Sequence, residues 1–499
     1  MSRRDSLAAL ARGALLLALL AFVVPAVRAA DAGWFASGDT QLRMDLELLN
    51  DAEVIRLPVS HWPLPRAAVR YALANAREHV VTNAAVMAAL ERVRARLAPR
   101  TGRLSFDTGI RGGEPGLWRD FDTLAREDAE LGAGLDYDAG RFSLGVELTA
   151  VNDPADGDEL RADGSQATVQ WGNWLFSANT LDRWWGPGHQ GSLILSNNAR
   201  PMPTVMVERA EARAFGPKWL SWLGPWRMSF GVSQMENSRQ DIDSPLFMAW
   251  RVVVMPFKKI ELGFSRTAQF CGEELECNLD VFGNLLVGND NLGIDATAED
   301  EPGNQMAGFD IRWNSPLGNL PYAIYGQYIG EDESHYLPVK YLTQLGLEVW
   351  KPTADGGLVQ GFLEYANTDC TSNRGKNCEA YGQARFNVEG YRYHGRSIGY
   401  TADRNSDDWA LGAIYSASDA ALWSATLRWS ELSHGRTGDL TNTVASVPTD
   451  YGAIELGWKG RLFGEQISVE LGIEATEPDG GERDTQPYGF IGWRHEFQP

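Results

Sequence analysis

The sequence predicts an all-β transmembrane barrel of about eighteen antiparallel strands, with a small N-terminal α-helical bundle on the periplasmic side. Three observations predict this fold class. The chain begins with a segment typical of export, its hydrophobic residues recur with a period of two from residue 101 onward, and short connections alternate with long ones. A length of 499 residues exceeds one ordinary globular core, and 18 Trp with 52 Gly favour one very large sheet.

The net charge is strongly acidic, at −21 with 66 acidic and 45 basic residues. A protein that binds nucleic acid needs a basic surface to neutralise phosphates. This charge balance supplies none, so nucleic acid is excluded as a partner.

Residues 1–29 have the layout of a secretory signal peptide. Arg3, Arg4 and Arg12 are followed by an apolar run from Ala14 to Val24 and by small residues around Ala29. The run is too short to cross a bilayer comfortably, which disfavours the alternative of an anchor helix. No later stretch of eighteen apolar residues occurs, so a membrane could be crossed only by strands.

Residues 30–100 are predicted to form the periplasmic helical bundle. Apolar residues at helical spacing predict a first helix from Asp39 to about Ile55, and a second helix opens at Pro65. A third helix follows Thr82, a candidate N-cap, and ends before Pro99. Such short helices bury little surface, so we expect them to pack against a larger part of the structure.

Residues 101–499 alternate apolar and polar side chains, as strands with two different faces do. In Gln466 to Glu474, the residues Ile467, Val469, Leu471 and Ile473 face one way. A soluble protein of several β-sandwiches would show the same alternation. The lengths of the connections distinguish a barrel from sandwiches, because outer-membrane barrels have short periplasmic turns and long outer loops.

Eight short connections and nine long ones give eighteen strands with both ends on the periplasmic side. The tight turns lie at 138–140, 172–173, 256–259, 317–319, 353–357, 416–419 and 463–464, with a longer one at 216–225. The long segments include 152–164, 271–304, 371–408 and 434–449. The sequence therefore predicts an integral barrel of the outer membrane, in contact with its lipid and lipopolysaccharide and monomeric.

Four cysteines form two close pairs at the roots of predicted outer loops. We expect Cys271 to pair with Cys277 and Cys370 with Cys378 as disulfides, because export exposes them to an oxidising compartment. Their spacing lacks the CxxC pattern and the His neighbours of a zinc site. No metal and no cofactor is expected.

The segment Leu181 to Pro203 combines side chains suited to sugar recognition. Paired aromatic rings offer flat faces to sugar rings, and amide or guanidinium groups bind hydroxyls and carboxylates. The candidate ligands for polysaccharide here are Arg183, Trp184, Trp185, His189, Asn197, Asn198 and Arg200. The alternative is that this loop folds into the lumen and its Trp residues pack a plug.

A second candidate lies after Cys378, where aromatic and cationic residues interleave. Tyr391, Tyr393 and Arg396 could contact an anionic glycan, or this loop could pack on itself and on the barrel wall. The acidic residues of 152–164 lack the EF-hand ligand pattern and are interpreted as a solvated loop.

The stretches Leu42–Pro65 and Trp184–Pro201 resemble the Wzi family of capsule assembly proteins. The resemblance covers essentially the whole mature chain. It implies an eighteen-stranded outer-membrane barrel with a periplasmic helical bundle, acting as a lectin that holds capsular or extracellular polysaccharide at the cell surface without exporting it. The residues carried over as family-typical are Trp184, Trp185, Gly186, Pro187, Gly188, Asn197, Asn198, Arg200 and Pro201.

Two other functions remain open from the sequence. A porin would share the architecture, and its acidic lumen would favour cations. A hydrolase acting on lipid or glycan finds less support, because GxSxG, HExxH and P-loop motifs do not occur and the seven His form no metal-like pair. We expect no catalytic residues and no enzyme activity.

Overall fold

The computed structural model describes residues 31–497 apart from 82, 99–100, 123–126, 240–241, 273–276, 278–303, 319, 331–332, 335–336, 339, 373–380, 383–388 and 435–441. The signal-peptide prediction, residues 1–29, therefore lies outside the described residues. Three helices come first: α1 (Thr40–Asp51), α2 (Arg66–Ala74) and α3 (Ala84–Arg96).

Eighteen antiparallel strands follow the helices. They are β1 (Thr101–Gly112), β2 (Ala129–Ala139), β3 (Phe142–Asn152), β4 (Leu160–Arg161 and Gln166–Trp171), β5 (Trp174–Asn179), β6 (Thr204–Arg209), β7 (Trp226–Gln234), β8 (Leu246–Phe257), β9 (Ile260–Phe270), β10 (Gln305–Asn314), β11 (Tyr322–Gly330), β12 (Lys340–Pro352), β13 (Leu358–Ser372), β14 (Asp407–Ser416), β15 (Leu422–Leu432), β16 (Thr449–Leu462), β17 (Glu465–Pro478) and β18 (Asp484–Phe497). β4 counts as one strand because both of its pieces pair with β3.

The sheet closes on itself between its last and first strands. β18 pairs with β1 in antiparallel register, with Gly489 opposite Gly112 and Phe497 opposite Leu104. Closure leaves no barrel strand with an open edge. The predicted eighteen-strand antiparallel barrel with an N-terminal helical region is confirmed.

Short and long connections alternate around the barrel as the sequence predicts. One end carries the connections 140–141, 172–173, 210–225, 258–259, 315–321, 353–357, 417–421 and 463–464. The opposite end carries most of the longer loops, but its connections 153–159 and 479–483 are short, and the connection 210–225 at the first end is long. Most of the predicted long segment 271–304, and parts of 371–408 and 434–449, lie outside the described residues.

The two faces of the strands differ as a barrel in lipid requires. On β17, Leu471 and Ile473 are 57% and 46% exposed on the outer wall, whereas Glu470 lines a cavity inside the barrel. The period of two therefore separates a lipid-facing surface from a polar lumen.

The helix ends follow capping chemistry, with one correction. The Asp39 carboxylate accepts a hydrogen bond from the Leu42 amide at 3.0 Å and caps α1. The cap of α3 is Asn83, not the predicted Thr82, because the Asn83 side chain accepts from the Val86 amide at 2.9 Å. None of the helices in the described part of the chain is both long and apolar enough to cross a membrane.

The helical region closes the short-turn end of the barrel and does not stand apart from it. Gln41 of α1 accepts a hydrogen bond from Ser416, where β14 ends, and Glu53 pairs with Lys258 in the β8–β9 turn. The apolar faces of the helices share one buried cluster with wall residues such as Phe362. The helices thus bury their apolar surface against the barrel wall.

The segment 57–65, between α1 and α2, continues from the helices into the lumen. Glu261 of β9 accepts hydrogen bonds from the amides of Val59 and Ser60, and the buried Arg227 of β7 donates to the carbonyl of His61. Further along their strands, Ser229 contacts the His61 ring and Arg251 donates to Ser60, so segment 57–65 enters the barrel from its short-turn end.

Candidate functional site

Residues 181–203, called the tryptophan segment below, fold inward from the long-loop end of the barrel. Trp184 and Trp185 form a short antiparallel ribbon with His61 and Trp62 of segment 57–65. Trp184 is 0% and Trp185 2% exposed. The rings pack a plug that is formed by segments entering from both ends of the barrel, as the plug alternative predicts, and contact of this pair with polysaccharide stays a prediction.

The turn at Gly186–Gly188 ties the tryptophan segment to α1. The Arg43 guanidinium donates to the carbonyls of Pro187 and Gly188, at 2.5 and 2.8 Å, and Trp184 Nε1 also donates to Gly188. Glycine is required further on at Gly191, where a Cβ would lie 2.2 Å from the Tyr400 ring. The Gly- and Pro-rich motif therefore serves close packing.

His189 holds the plug to the barrel wall. Its ring nitrogen Nε2 lies 3.0 Å from the Glu348 carboxylate, and the ring stacks on Phe362 at a centroid distance of 4.6 Å. The amides of His189 and Gln190 both donate to Glu364 of β13. His189 is 7% exposed, so its side chain serves the packing of the plug, and its contact with sugar stays a prediction.

The side-chain amides of Asn197 and Asn198 likewise form hydrogen bonds within the protein. Asn197 donates to the Phe121 carbonyl at 3.1 Å and accepts from Ser37. Asn198 donates to the Ser397 carbonyl at 2.8 Å and accepts from Arg396 at 3.3 Å. Both residues are buried and position the neighbouring loop.

The second predicted candidate packs over the tryptophan segment. The Tyr391 hydroxyl donates to the Ile194 carbonyl at 2.7 Å and lies 2.9 Å from the Thr267 hydroxyl, and its ring is fully buried. Tyr391 therefore packs on the tryptophan segment, as the alternative for this loop predicts, and its contact with sugar stays a prediction. The ribbon Arg392–Ser397 that follows turns at His394 and Gly395 and carries Tyr393 and Arg396 to the outer end.

Arg200 connects the tryptophan segment to residues 152–164, called the acidic segment below. Its guanidinium pairs with Asp156 at 2.7 Å, Asp158 at 2.9 Å and Asp163 at 2.8 Å. Burial would raise the pKa of the Asp156 carboxyl, but hydrogen bonds from Arg200, the Asp158 amide and Arg161 outweigh it and lower the pKa to about 2. The solvated-loop interpretation holds for Asp153 and Glu159, which are exposed, but three acids instead clamp Arg200.

Three of the predicted residues lie at the long-loop end together with His394. These four residues are called the outer cluster below: Arg200, Tyr393, His394 and Arg396. Tyr393 lies within electrostatic range of Arg200, Asp158 and Asp163. Arg396 bridges from Asn198 to the Leu117 carbonyl. His394, a residue outside the predicted ligand set, has its ring near Asp156 and Asp158.

A metal ion has one candidate ligand set among the described residues. Ligand atoms of Asp156, Asp158 and His394 lie within 4.8 Å of one another. The Arg200 guanidinium already occupies a cationic position beside both carboxylates. The Arg200 guanidinium therefore already pairs with two of the three groups of this set.

A cavity of about 30 Å³ lies between the tryptophan segment and the wall strands β6–β8. Three predicted residues line it: Arg183, Trp185 and Arg200. Arg183 donates to the Leu181 carbonyl at 3.0 Å and to Asn179 Oδ1 at 2.7 Å. The tryptophan segment therefore does bring three candidates to one place, although Trp185 and Arg183 reach it from inside the plug.

Sequence reasoning missed several residues that build the plug. Trp118 stacks on Tyr451 and donates to the Gln190 carbonyl, and Phe121 contacts both Trp62 and Trp184 edge-on. These residues lie in loops or short segments without periodicity. The only available signal was the excess of Trp and Phe beyond what a lipid-facing wall needs.

Cys271 and Cys277 form a disulfide at the root of the β9–β10 loop. It closes a small ring next to the wall residue Phe270. The second predicted pair cannot be placed in the same way, because Cys378 lies outside the described residues.

Known proteins share this sequence and fold. The profile of the family described as capsule assembly protein Wzi matches residues 108–486. An uncharacterized 55.8 kDa protein in the cps region of Klebsiella pneumoniae is 33% identical over 318 residues, covering 62% of this chain. The match spans 60% of that relative's length.

A solved structure agrees over nearly the whole chain. Wzi of Escherichia coli, an outer-membrane protein involved in group 1 capsule assembly and a carbohydrate-binding β-barrel, superposes with a TM-score of 0.82 at 25% identity. The superposition covers 94% of this chain and 100% of that one. This chain is an outer-membrane β-barrel that belongs to the Wzi family of capsule assembly proteins.

Proposed function

We propose that this barrel binds capsular or extracellular polysaccharide at its outer face and attaches it to the cell surface, leaving export to other proteins. The likeness to Escherichia coli Wzi, a carbohydrate-binding barrel, supports the ligand class. The family of capsule assembly proteins supports the biological setting. The proposal assigns no catalytic step to any residue.

The observation that carries this proposal is the double plug in the lumen. Segment 57–65 enters from the short-turn end, the tryptophan segment enters from the long-loop end, and the two pair at Trp62 and Trp184. Arg43 bonds both Pro187 and Gly188, so α1 and the tryptophan segment are joined as well. An eighteen-strand barrel filled in this way is suited to presenting a surface, and less to passing solutes.

The plug divides the predicted ligands into two groups with different tasks. The buried group holds the outer face in shape; it consists of Trp184, His189, Asn197, Asn198 and Tyr391. The remaining group is assigned to the polymer; it consists of the half-buried Arg200 and Arg396 with the buried Tyr393 at the outer cluster, and of the buried Arg183 and Trp185 that line the adjoining cavity. Guanidinium and aromatic groups suit hydroxyls, carboxylates and sugar-ring faces.

The proposal includes a monomer surrounded by lipid, with lipopolysaccharide in the outer leaflet. The exposed apolar side chains along the outer wall, such as Leu131 at 64% and Leu471 at 57%, support contact with lipid chains.

Binding of the purified protein in lipid nanodiscs to the polysaccharide of the producing strain tests the proposal. We expect Arg396→Gln to weaken binding about tenfold, as loss of a charge-assisted hydrogen bond at a contact does. Arg483→Gln, in the exposed outer connection 479–483, is the matched control and should bind like the parent. Equal effects of both variants would remove the outer cluster from the binding surface.

The porin alternative has a separate test in planar bilayers. A plugged lumen predicts that inserted parent protein shows no steady conductance. A stable, cation-selective current from the parent protein would instead favour passive diffusion through the acidic lumen.

A further inference from the structure

Arg183 is a buried cation that lacks a carboxylate partner. Its side chain is 9% exposed, and its guanidinium donates only to the Leu181 carbonyl, to Asn179 and weakly to the Met206 sulfur within the described chain. Other buried arginines of the lumen are paired: Arg227 with Glu208, Arg251 with Asp310 and Arg392 with Asp403. A buried charge without a counter-ion is costly and calls for an explanation.

Two carboxylates act electrostatically on Arg183, but neither forms an ion pair with it. Glu208 is already bound by Arg227, and Asp182 lies half-buried beside it without forming an ion pair with its guanidinium. Burial outweighs both acids and lowers the pKa of Arg183 to about 10. The site therefore favours an additional negative charge.

The same cavity also contains an indole N–H donor. Trp185 is 2% exposed and its indole Nε1 donates no hydrogen bond within the part of the chain described. Both Arg183 and Trp185 line the cavity of about 30 Å³ behind Arg200 and Pro201. The polar lining also includes the Asp182 carboxylate and the hydroxyls of Ser196, Thr204 and Ser233. The Arg183 guanidinium and the Trp185 indole are N–H donors, which an acceptor-only group such as a carboxylate requires.

The cavity suits a small substituent in size and in access. A volume of about 10–15 Å³ admits one water, so 30 Å³ admits two or three non-hydrogen atoms, as in a carboxylate. Asp182, Arg200 and Pro201 are half-buried, so this side of the cavity meets the outer face. Apolar side chains such as Leu195, Met202 and Phe247 form much of the remaining wall.

We infer that this cavity receives the carboxylate of an acidic sugar of the polymer, bound by the Arg183 guanidinium and the Trp185 indole. The inference rests on the proposed function and adds a ligand class to it. A uronic acid and a pyruvate acetal both present such a carboxylate at the edge of a sugar ring. The apolar wall would meet the carbon atoms next to it.

Calorimetry with the full-length protein in detergent micelles tests this inference with four probes. Glucuronic acid and the 4,6-pyruvate acetal of glucose carry the carboxylate, whereas glucose and the methyl ester of glucuronic acid do not. We expect at least one acid to bind about tenfold or more tightly than its uncharged counterpart. The acid that binds identifies the source of the carboxylate.

Two variants separate binding from packing. Trp185→Phe keeps the ring and removes the donor, so it should weaken binding of the acid about fivefold to tenfold. Trp62→Phe is its matched control, because Trp62 is equally buried, has an unpartnered Nε1 and does not line the cavity. Arg183→Met should abolish the preference for the acid. Its folded fraction is checked by gel electrophoresis, in which a folded barrel migrates differently before and after heating.

Three results would overturn the inference. They are equal affinity for acids and uncharged probes, unchanged binding in Trp185→Phe, or equal loss in Trp62→Phe. Binding of the intact polysaccharide to the parent protein distinguishes failure of the carboxylate site from failure of the proposed function. If the polymer binds while the acids do not, the carboxylate site fails and the proposed function stands; if the polymer does not bind, the proposed function fails.

Discussion

Trp184 is a residue whose ring and polar atom are both used inside the protein. It is fully buried, contacts Phe121 edge-on at 5.4 Å and donates to the Gly188 carbonyl at 3.1 Å. Trp184→Ala should lower the free energy of unfolding by about 3–5 kcal/mol, because it leaves a cavity and removes one of the two hydrogen bonds to the Gly188 carbonyl. Urea titration in detergent micelles measures this change.

The matched control for that substitution is Trp219→Ala. Trp219 lies in the connection between β6 and β7 and is 74% exposed. It should change the urea midpoint little, since surface substitutions stay within about 0.5 kcal/mol. Equal midpoints for the two variants would contradict the assignment of Trp184 to the plug.

The clamp at Arg200 makes the outer face sensitive to strong acid. The folded pKa of Asp156, about 2, is below the value of about 3.9 for an unfolded chain. Its stabilising contribution is therefore complete above pH 4 and is lost as the pH falls through 2. Hydroxyl-radical footprinting of the acidic segment should show protection from pH 7 to pH 4 and exposure near pH 2. Exposure already at pH 5 would contradict the clamp.

Single residues were the hardest feature to predict from sequence. The sequence pointed to the tryptophan segment, but residue type alone does not distinguish an aromatic ring that binds sugar from one that packs a lumen. The pairing of Arg200 with Asp156 spans 44 positions and carries no local pattern. Only the folded chain reveals which charges are already neutralised.

At the scale of elements, the Arg43 side chain joins α1 to the tryptophan segment by hydrogen bonds. Arg43 is 3% exposed, pairs with Glu47 at 2.9 Å and donates to two carbonyls of the Gly186–Gly188 turn. Arg43→Met should cost about 3–5 kcal/mol, because it breaks a buried pair and leaves Glu47 without its partner. The two halves of the plug should then separate more often.

Single-channel recording measures that separation directly. Arg43→Met should show intermittent openings while the parent protein stays closed. Arg94→Met is the control, because Arg94 lies on α3 in an exposed pair with Glu78 and should leave the barrel closed. A closed Arg43→Met variant would show that the junction does not hold the plug.

The helices and their ends were partly predictable for a local reason. Caps and apolar spacing act within a few residues, so Asp39 and Pro65 marked the starts of α1 and α2 correctly. Adjacent Thr82 and Asn83 are both good caps, and sequence alone chose the wrong one. The location of the helices in the barrel mouth depends on distant contacts that local patterns do not contain.

At the scale of the whole molecule, the barrel was the most predictable feature. Period-two alternation and alternating connection lengths repeat around the whole sheet, so an error at one turn does not change the overall count. The state of the lumen was not predictable in the same way. A plug and an open pore need the same wall, and the difference lies in aperiodic segments such as 57–65 and 181–203.

At this scale, we propose that a closed barrel with a structured outer face attaches polysaccharide to the cell surface. The most direct test is the partition of polysaccharide between cell pellet and culture medium, in a strain lacking this protein and in its parent. The account predicts unchanged total polymer, with most of it moved into the medium when the protein is absent and returned to the pellet by reintroducing the gene. An unchanged partition in the deletion strain would contradict it.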